Sequence, residues 1–90
     1  MNVSVKSGET RWYKFGDVQV YARRDDAGRV PKADAIDEDL DQIRGLAHQL
    51  QQAGYGVLRE RVPRAGRVYY RLRAHWAGRG IPPSSPPGSV

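Results

Sequence analysis

"VLRERVPRAGRVYYRLRAHW", residues 57–76, carries six arginines in twenty positions, with leucine, valine and tyrosine between them. The alternation reads as a β-hairpin, and the length of its turn decides which side chains share a face. A four-residue loop, Pro63 to Gly66, would put arginine and apolar side chains on both faces. A five-residue loop, Pro63 to Arg67, sorts them. Leu58, Val62, Val68, Tyr70 and Leu72 then lie on one face, and Arg59, Arg61, Tyr69, Arg71, Arg73 and His75 on the other. A one-residue slip would expose the whole apolar set, so burial is expected to enforce the sorted register. The expectation is an apolar face against a helix and an arginine face outward.

That helix is read in "DAIDEDLDQIRGLAHQLQQAGYG". Asp34 has the character of an N-cap, and Asp37, Glu38, Asp39 and Asp41 crowd the first turns, where the helix dipole favours acids. Ile36, Leu40, Ile43, Leu46, Ala47, Leu50 and Ala53 recur at helical spacing, and Gly54 ends the run. Upstream, "TRWYKFGDVQVYARRD" reads as a hairpin around Gly16-Asp17, glycine first as a type II′ turn requires. This register pairs Phe15 with Val18, Tyr13 with Val20, and Trp12 with Tyr21. One face carries Tyr13, Phe15, Val18, Val20 and Ala22. The other carries Thr10, Trp12, Lys14, Gln19, Tyr21 and Arg23. "NVSVK" can add a further strand through Ser7-Gly8, which leaves the face of Trp12 and Tyr21 open. Residues 24–33 read as a loop. The fold expected is α+β, a small two-layer ββ(β)αββ domain with antiparallel hairpins packed on one amphipathic helix. It spans residues 1–76, followed by a Pro/Ser/Gly tail, 77–90, expected to be disordered or polyproline-like.

Charge separates along the chain. Residues 1–41 hold seven bases and nine acids, a net of −2. Residues 42–90 hold eight arginines and one acid, Glu60, a net of +7. Arginine favours bidentate contact with phosphate or carboxylate, and such segregation suits a polyanion or an acidic protein surface. Arginine-favouring codon usage and a solvated sheet face are the plainer explanations. There is no cysteine, so disulfides, thiolate chemistry and cysteine zinc sites are excluded. No stretch resembles a signal peptide or a membrane span, and a cytoplasmic location is expected. The core is small, and self-association as a homodimer would be one remedy for that.

Chemistry beyond charge is sparse. Asp37, Asp41 and His48 fall on one helical flank, but no further ligand at fixed spacing supports a metal, and the dipole already explains the acids. His48 and His75 are the only histidines, and neither lies in a nucleophile or metal motif. Gly54 and Gly56 flank a helix end, whereas phosphate loops sit at helix starts. No enzymatic activity, cofactor or metal is expected. Gly45 falls mid-helix, opposite the stripe, at a cost in helix propensity. Pro83 and Pro86 have PxxP spacing, which is common in tails.

Residues 46–72, through Leu50, Ala53-Gly54, Val57, Arg59, Arg61, Gly66-Arg67, Val68, Tyr70 and Leu72, resemble the recognition helix and wing of bacterial winged-helix repressors. That resemblance implies a helix in the major groove and a wing on the backbone. Strands, not helices, precede the segment here, and its acidic first turns would repel phosphate. The same segment is similar to the helix-to-hairpin part of peptidoglycan-binding SPOR domains through its "AGY". Two unlike families sharing one segment mark a general helix–turn–strand pattern, and neither family is assigned.

The function expected is therefore a small non-catalytic nucleic-acid-binding module, DNA before RNA. Arg59, Arg61, Arg64, Arg67, Arg71, Arg73 and His75 would meet phosphates, with Tyr69 stacking. The alternative is a small phage- or mobile-element-type inhibitor or adaptor that docks on a protein target. It would use Asp37, Glu38, Asp39 and Asp41, with Trp12 and Tyr21 as anchors.

Overall fold

A computed structural model describes residues 9–87. The suggested strand at 2–6 lies outside them. Five strands form one antiparallel sheet in the order β1-β2-β3-β5-β4. They are β1 (Glu9–Phe15), β2 (Val18–Arg23), β3 (Lys32–Asp37), β4 (Tyr55–Arg64) and β5 (Arg67–Trp76), and the single helix α1 (Leu40–Ala53) lies between β3 and β4 in sequence. The helix covers one face of the sheet, and the fold is a small α+β domain.

The first hairpin follows its sequence reading up to one residue. Phe15 pairs with Val18 and Tyr13 with Val20, but Arg11, not Trp12, pairs with Tyr21. Gly16 takes φ +59 while Asp17 keeps negative φ, as a type II′ turn requires. Trp12 is the extra residue of a β-bulge, and the bulge turns its ring to the helix side. There Trp12 is only 8% exposed and meets Tyr55, from the far edge strand, edge-to-face at 5.9 Å. The two edges can meet because Ala22, Ala33 and Ala74 form the cross-strand row between them. Small side chains there leave room for the rings. Val18, Val20, Ala35 and Leu72 complete the floor under Ile43, Leu46 and Leu50 of α1.

Two expectations are corrected. The helix does not begin at Asp34. Its N-cap is Asp39, whose carboxylate accepts from the backbone of Asp41 and Gln42. Residues 32–37 instead form β3, with Ala33 and Ala35 inward and Lys32, Asp34 and Ile36 outward. Ile36 fell on the helical stripe only because it stands four residues before Leu40. The second correction concerns β4–β5. Arg64 pairs with Arg67 across a two-residue turn, Ala65-Gly66, with φ of 53 and 77, the type I′ signature. Val57, Arg59, Arg61, Pro63, Val68, Tyr70 and Leu72 therefore share the helix-side face, and Leu58, Glu60, Val62, Tyr69, Arg71 and Arg73 share the other. The sorting of apolar from charged residues is lost because the hairpin runs past the helix. From about Arg61 to Tyr69 both faces are wet, so burial does not choose between registers there. Burial acts only at the base, through Tyr55, Leu72 and Ala74.

Two glycines make close packing possible. A Cβ on Gly45 would stand 3.1 Å from Phe15 Cζ, so Gly45 faces the sheet and admits that ring, rather than lying on the outer side of the helix. Gly54, at φ 113, is the left-handed C-cap, and a Cβ there would reach 2.8 Å from the Trp76 ring. Part of the tail is hydrogen-bonded to the domain. Val30 N donates to Pro83 O at 2.9 Å, and Arg24 Nη1 donates to Ser84 O at 3.2 Å. Trp76 Nε1 donates to Gly80 O at 3.3 Å. Residues 77–87 thus fold back on the 24–31 connection, and Val30 is fully buried.

Candidate functional site

Among the described residues the helix leaves one sheet face uncovered, and strand register dictates what that face presents. Because successive side chains alternate, every second residue of each strand points away from α1. One cross-strand row runs Arg11, Tyr21, Asp34, Arg73, Leu58. The next runs Glu9, Arg23, Lys32, His75, Gly56. A third holds Ile36, Arg71 and Glu60. Most of these residues, Glu9, Arg11, Gly56 and Glu60 excepted, line a shallow trough of about 920 Å³.

The trough is basic and partly apolar, with Tyr21 and Leu58 on either side of Asp34 and Arg73. Arg23, Lys32, Arg71 and Arg73 are the cations of its lining, and Asp34 is the one acid there among the described residues. Arg23 Nε lies 3.5 Å from Asp34, and Arg73 Nε lies 3.5 Å from Glu60. Both pairs are partly exposed and loose, and contribute little to stability. Arg11, Lys32 and Arg71 have no carboxylate partner among the described residues. Tyr21, Ile36 and Leu58 are 40%, 40% and 56% exposed, an unusual concentration of apolar surface for a wet sheet face. Tyr21 donates its hydroxyl to Gln19 Oε1 at 3.1 Å, two residues back on the same face, which lays the ring along the strand. The His75 imidazole lies flat over Gly56, where a Cβ would come within 2.6 Å of it.

The residues singled out from sequence divide between surfaces. Arg71, Arg73, Tyr69 and His75 lie on the uncovered face. Arg59 and Arg61 lie on the opposite, helix-side face of the hairpin and do not join them. Arg64 and Arg67 flank the turn, and Arg67 Nη1 donates to Glu38 at 3.0 Å, tying the hairpin to the start of the helix. The acidic set is engaged locally as well. Asp37 accepts from Asp39 N, Asp39 caps the helix, and Gln42 Nε2 donates to Asp39 at 2.9 Å. The bonds from Gln42 hold the Asp39 carboxyl below its usual range, a separate bond from the Asp41 amide adding to the effect. Asp41 remains exposed in the first turn. Trp12, expected to stand beside Tyr21, packs in the core instead.

Sequence reading missed Arg23, Lys32, Asp34 and Ile36 as a set, because β3 was read as loop and helix. The available signal was the alternation in "KADAID", whose inward residues are alanines rather than the large apolar residues that usually mark a strand. No group of three or more histidine, cysteine or acidic side chains that could hold a metal occurs among the described residues. No helix among them is long and apolar enough to cross a membrane. Comparison with known protein families, with curated proteins and with solved structures finds no match to this chain.

Proposed function

We propose that the protein is a small, non-catalytic nucleic-acid-binding module of the cytoplasm, and that it binds through the uncovered sheet face. One observation carries the reading: four cations against one acid in the lining of a trough that also exposes a tyrosine and two aliphatic side chains. Guanidinium and ammonium groups neutralise phosphates, and the counterions released make such binding steeply salt-dependent. Arg71, Arg73, Lys32 and Arg23 are the proposed phosphate contacts, with Arg64 at the hairpin tip extending the same stripe. Arg59 and Arg61 take no part, since the register turns them to the other side. The alternative, an adaptor that docks through the acids at the helix start, gains nothing from the geometry. Asp37, Glu38 and Asp39 already hold the β3–α1 corner and the hairpin together.

Fluorescence anisotropy with labelled oligonucleotides at about 50 and about 200 mM salt tests the reading. Affinity should fall by more than about tenfold between the two conditions. Replacing Lys32 and Arg71 together with alanine should weaken binding by at least about tenfold, whereas replacing Arg59 and Arg61 should change it by less than about threefold. No binding at low salt, or equal loss from both pairs, would overturn the proposal.

A further inference from the structure

We infer that the uncovered face takes single-stranded rather than duplex nucleic acid, with bases lying on Tyr21 and His75. This rests on the nucleic-acid reading above and narrows it. A duplex presents a convex wall of phosphates and keeps its base faces stacked inside. It could meet the cations, but it would leave Tyr21, Ile36 and Leu58 without partners. An unpaired strand has flat apolar bases on one side and an anionic backbone on the other, and the trough offers contacts of both kinds. Its lining sets the exposed Tyr21 ring, Ile36 and Leu58 among Arg23, Lys32, Arg71 and Arg73.

Both proposed platforms are held flat. The hydroxyl bond to Gln19 fixes the Tyr21 ring along β2, and the missing side chain at Gly56 lets His75 lie down on β4. They stand two strands apart, on the order of 10 Å, which leaves room for a separate base on each. Aromatic faces accept any base, so little sequence preference is expected from stacking itself. Asp34 lies in the cross-strand row beside Tyr21. A carboxylate there repels phosphate and accepts a hydrogen bond from an exocyclic amine or ring N–H of a base resting on the ring. Duplexes and single strands therefore differ in what they can offer Asp34: a duplex keeps its amine donors within the grooves, whereas an unpaired base resting on Tyr21 brings one directly to the carboxylate.

Labelled 12-nucleotide single-stranded DNA and RNA, and a 12-base-pair DNA duplex, are to be titrated against wild type, Tyr21→Ala, Tyr21→Phe and His75→Ala. Circular dichroism confirms that each variant folds. Single strands should bind at least tenfold tighter than the duplex. Tyr21→Ala should lower single-strand affinity about 5- to 100-fold, the span of one base–aromatic stack, and leave duplex affinity within about twofold. Tyr21→Phe, which keeps the ring, should retain most of the affinity, and His75→Ala should lose several-fold. Duplex affinity equal to or above that of the single strands, or no effect of Tyr21→Ala, overturns this inference while the nucleic-acid reading stands. Absence of binding by all three probes at low salt removes both. The difference between the DNA and RNA arms reports whether the 2′-hydroxyl is recognised.

Discussion

Tyr55 shows how one side chain can join three parts of the fold. It begins β4 directly after the helix C-cap, and its ring sits between Trp12 and Trp76, each met edge-on. Its hydroxyl donates to the Val30 carbonyl at 2.6 Å, securing the connection between β2 and β3. Burial pushes its pKa up to about 12 from 10.0. Burial raises Tyr13 in the same direction, with the neighbouring Tyr55 adding to the effect. Because both folded values lie above the unfolded one, the folded state keeps protons that the unfolded chain gives up. The stabilisation is complete below about pH 10 and is lost as pH rises from there through the folded values. Urea unfolding at pH 8 and pH 11 should show a lower midpoint at the higher pH, and Tyr55→Phe should reduce that drop. At neutral pH Tyr55→Phe should cost about 1–2 kcal/mol, because the buried Val30 carbonyl loses its donor. A pH-independent midpoint would contradict the tyrosine account.

At the scale of elements, the β4–β5 turn carries most of the consequences. Ala65 at φ 53 is the only non-glycine residue with positive φ among those described, and a Cβ there costs about 1 kcal/mol. Asparagine tolerates that region, and Asn-Gly is the favoured type I′ pair. Ala65→Asn should therefore raise stability by about 0.5–1 kcal/mol in chemical denaturation, with nucleic-acid affinity unchanged. If the longer five-residue loop were real, the substitution would have no such effect. The turn also explains what the sequence could and could not reveal. Helix α1 was legible from Ile43, Leu46, Ala47 and Leu50, and the first hairpin from Gly16-Asp17, because both face a core along their whole length. The register of the second hairpin was not legible. Its outer half has no core to face, and Ala-Gly is a weak signal for a type I′ turn. Strand β3 was hidden because Ala33 and Ala35 mark a strand poorly, while Ile36 and the acids after it imitate a helix start. The arginines of the hairpin were visible in the sequence, but their division between two surfaces was not, and neither was the contribution of β3 to the uncovered face.

For the whole molecule, the core and the proposed binding surface lie on opposite sides of one sheet. A core this small gains from its tail, which covers Val30 and occupies Arg24 and Arg29 through carbonyls of residues 82 and 84. Ending the chain after Gly78 should lower stability by about 1–3 kcal/mol, the worth of the few hydrogen bonds lost, and thermal unfolding would measure it. Binding should change little, since the tail lies away from the trough. An unchanged melting temperature would mean that the contacts to residues 80–84 contribute nothing. Net charge is +5, yet the account assigns function to where the charge sits and not to its sum. The most direct test is a backbone amide NMR titration with a 12-nucleotide single-stranded oligonucleotide at low salt. The account predicts the largest shifts at Tyr21, Arg23, Lys32, Asp34, Leu58, Arg71 and His75, with Arg59, Arg61 and the outer side of α1 little changed. Shifts centred on Arg59 and Arg61, or on Asp41 and the first turn of the helix, would contradict it.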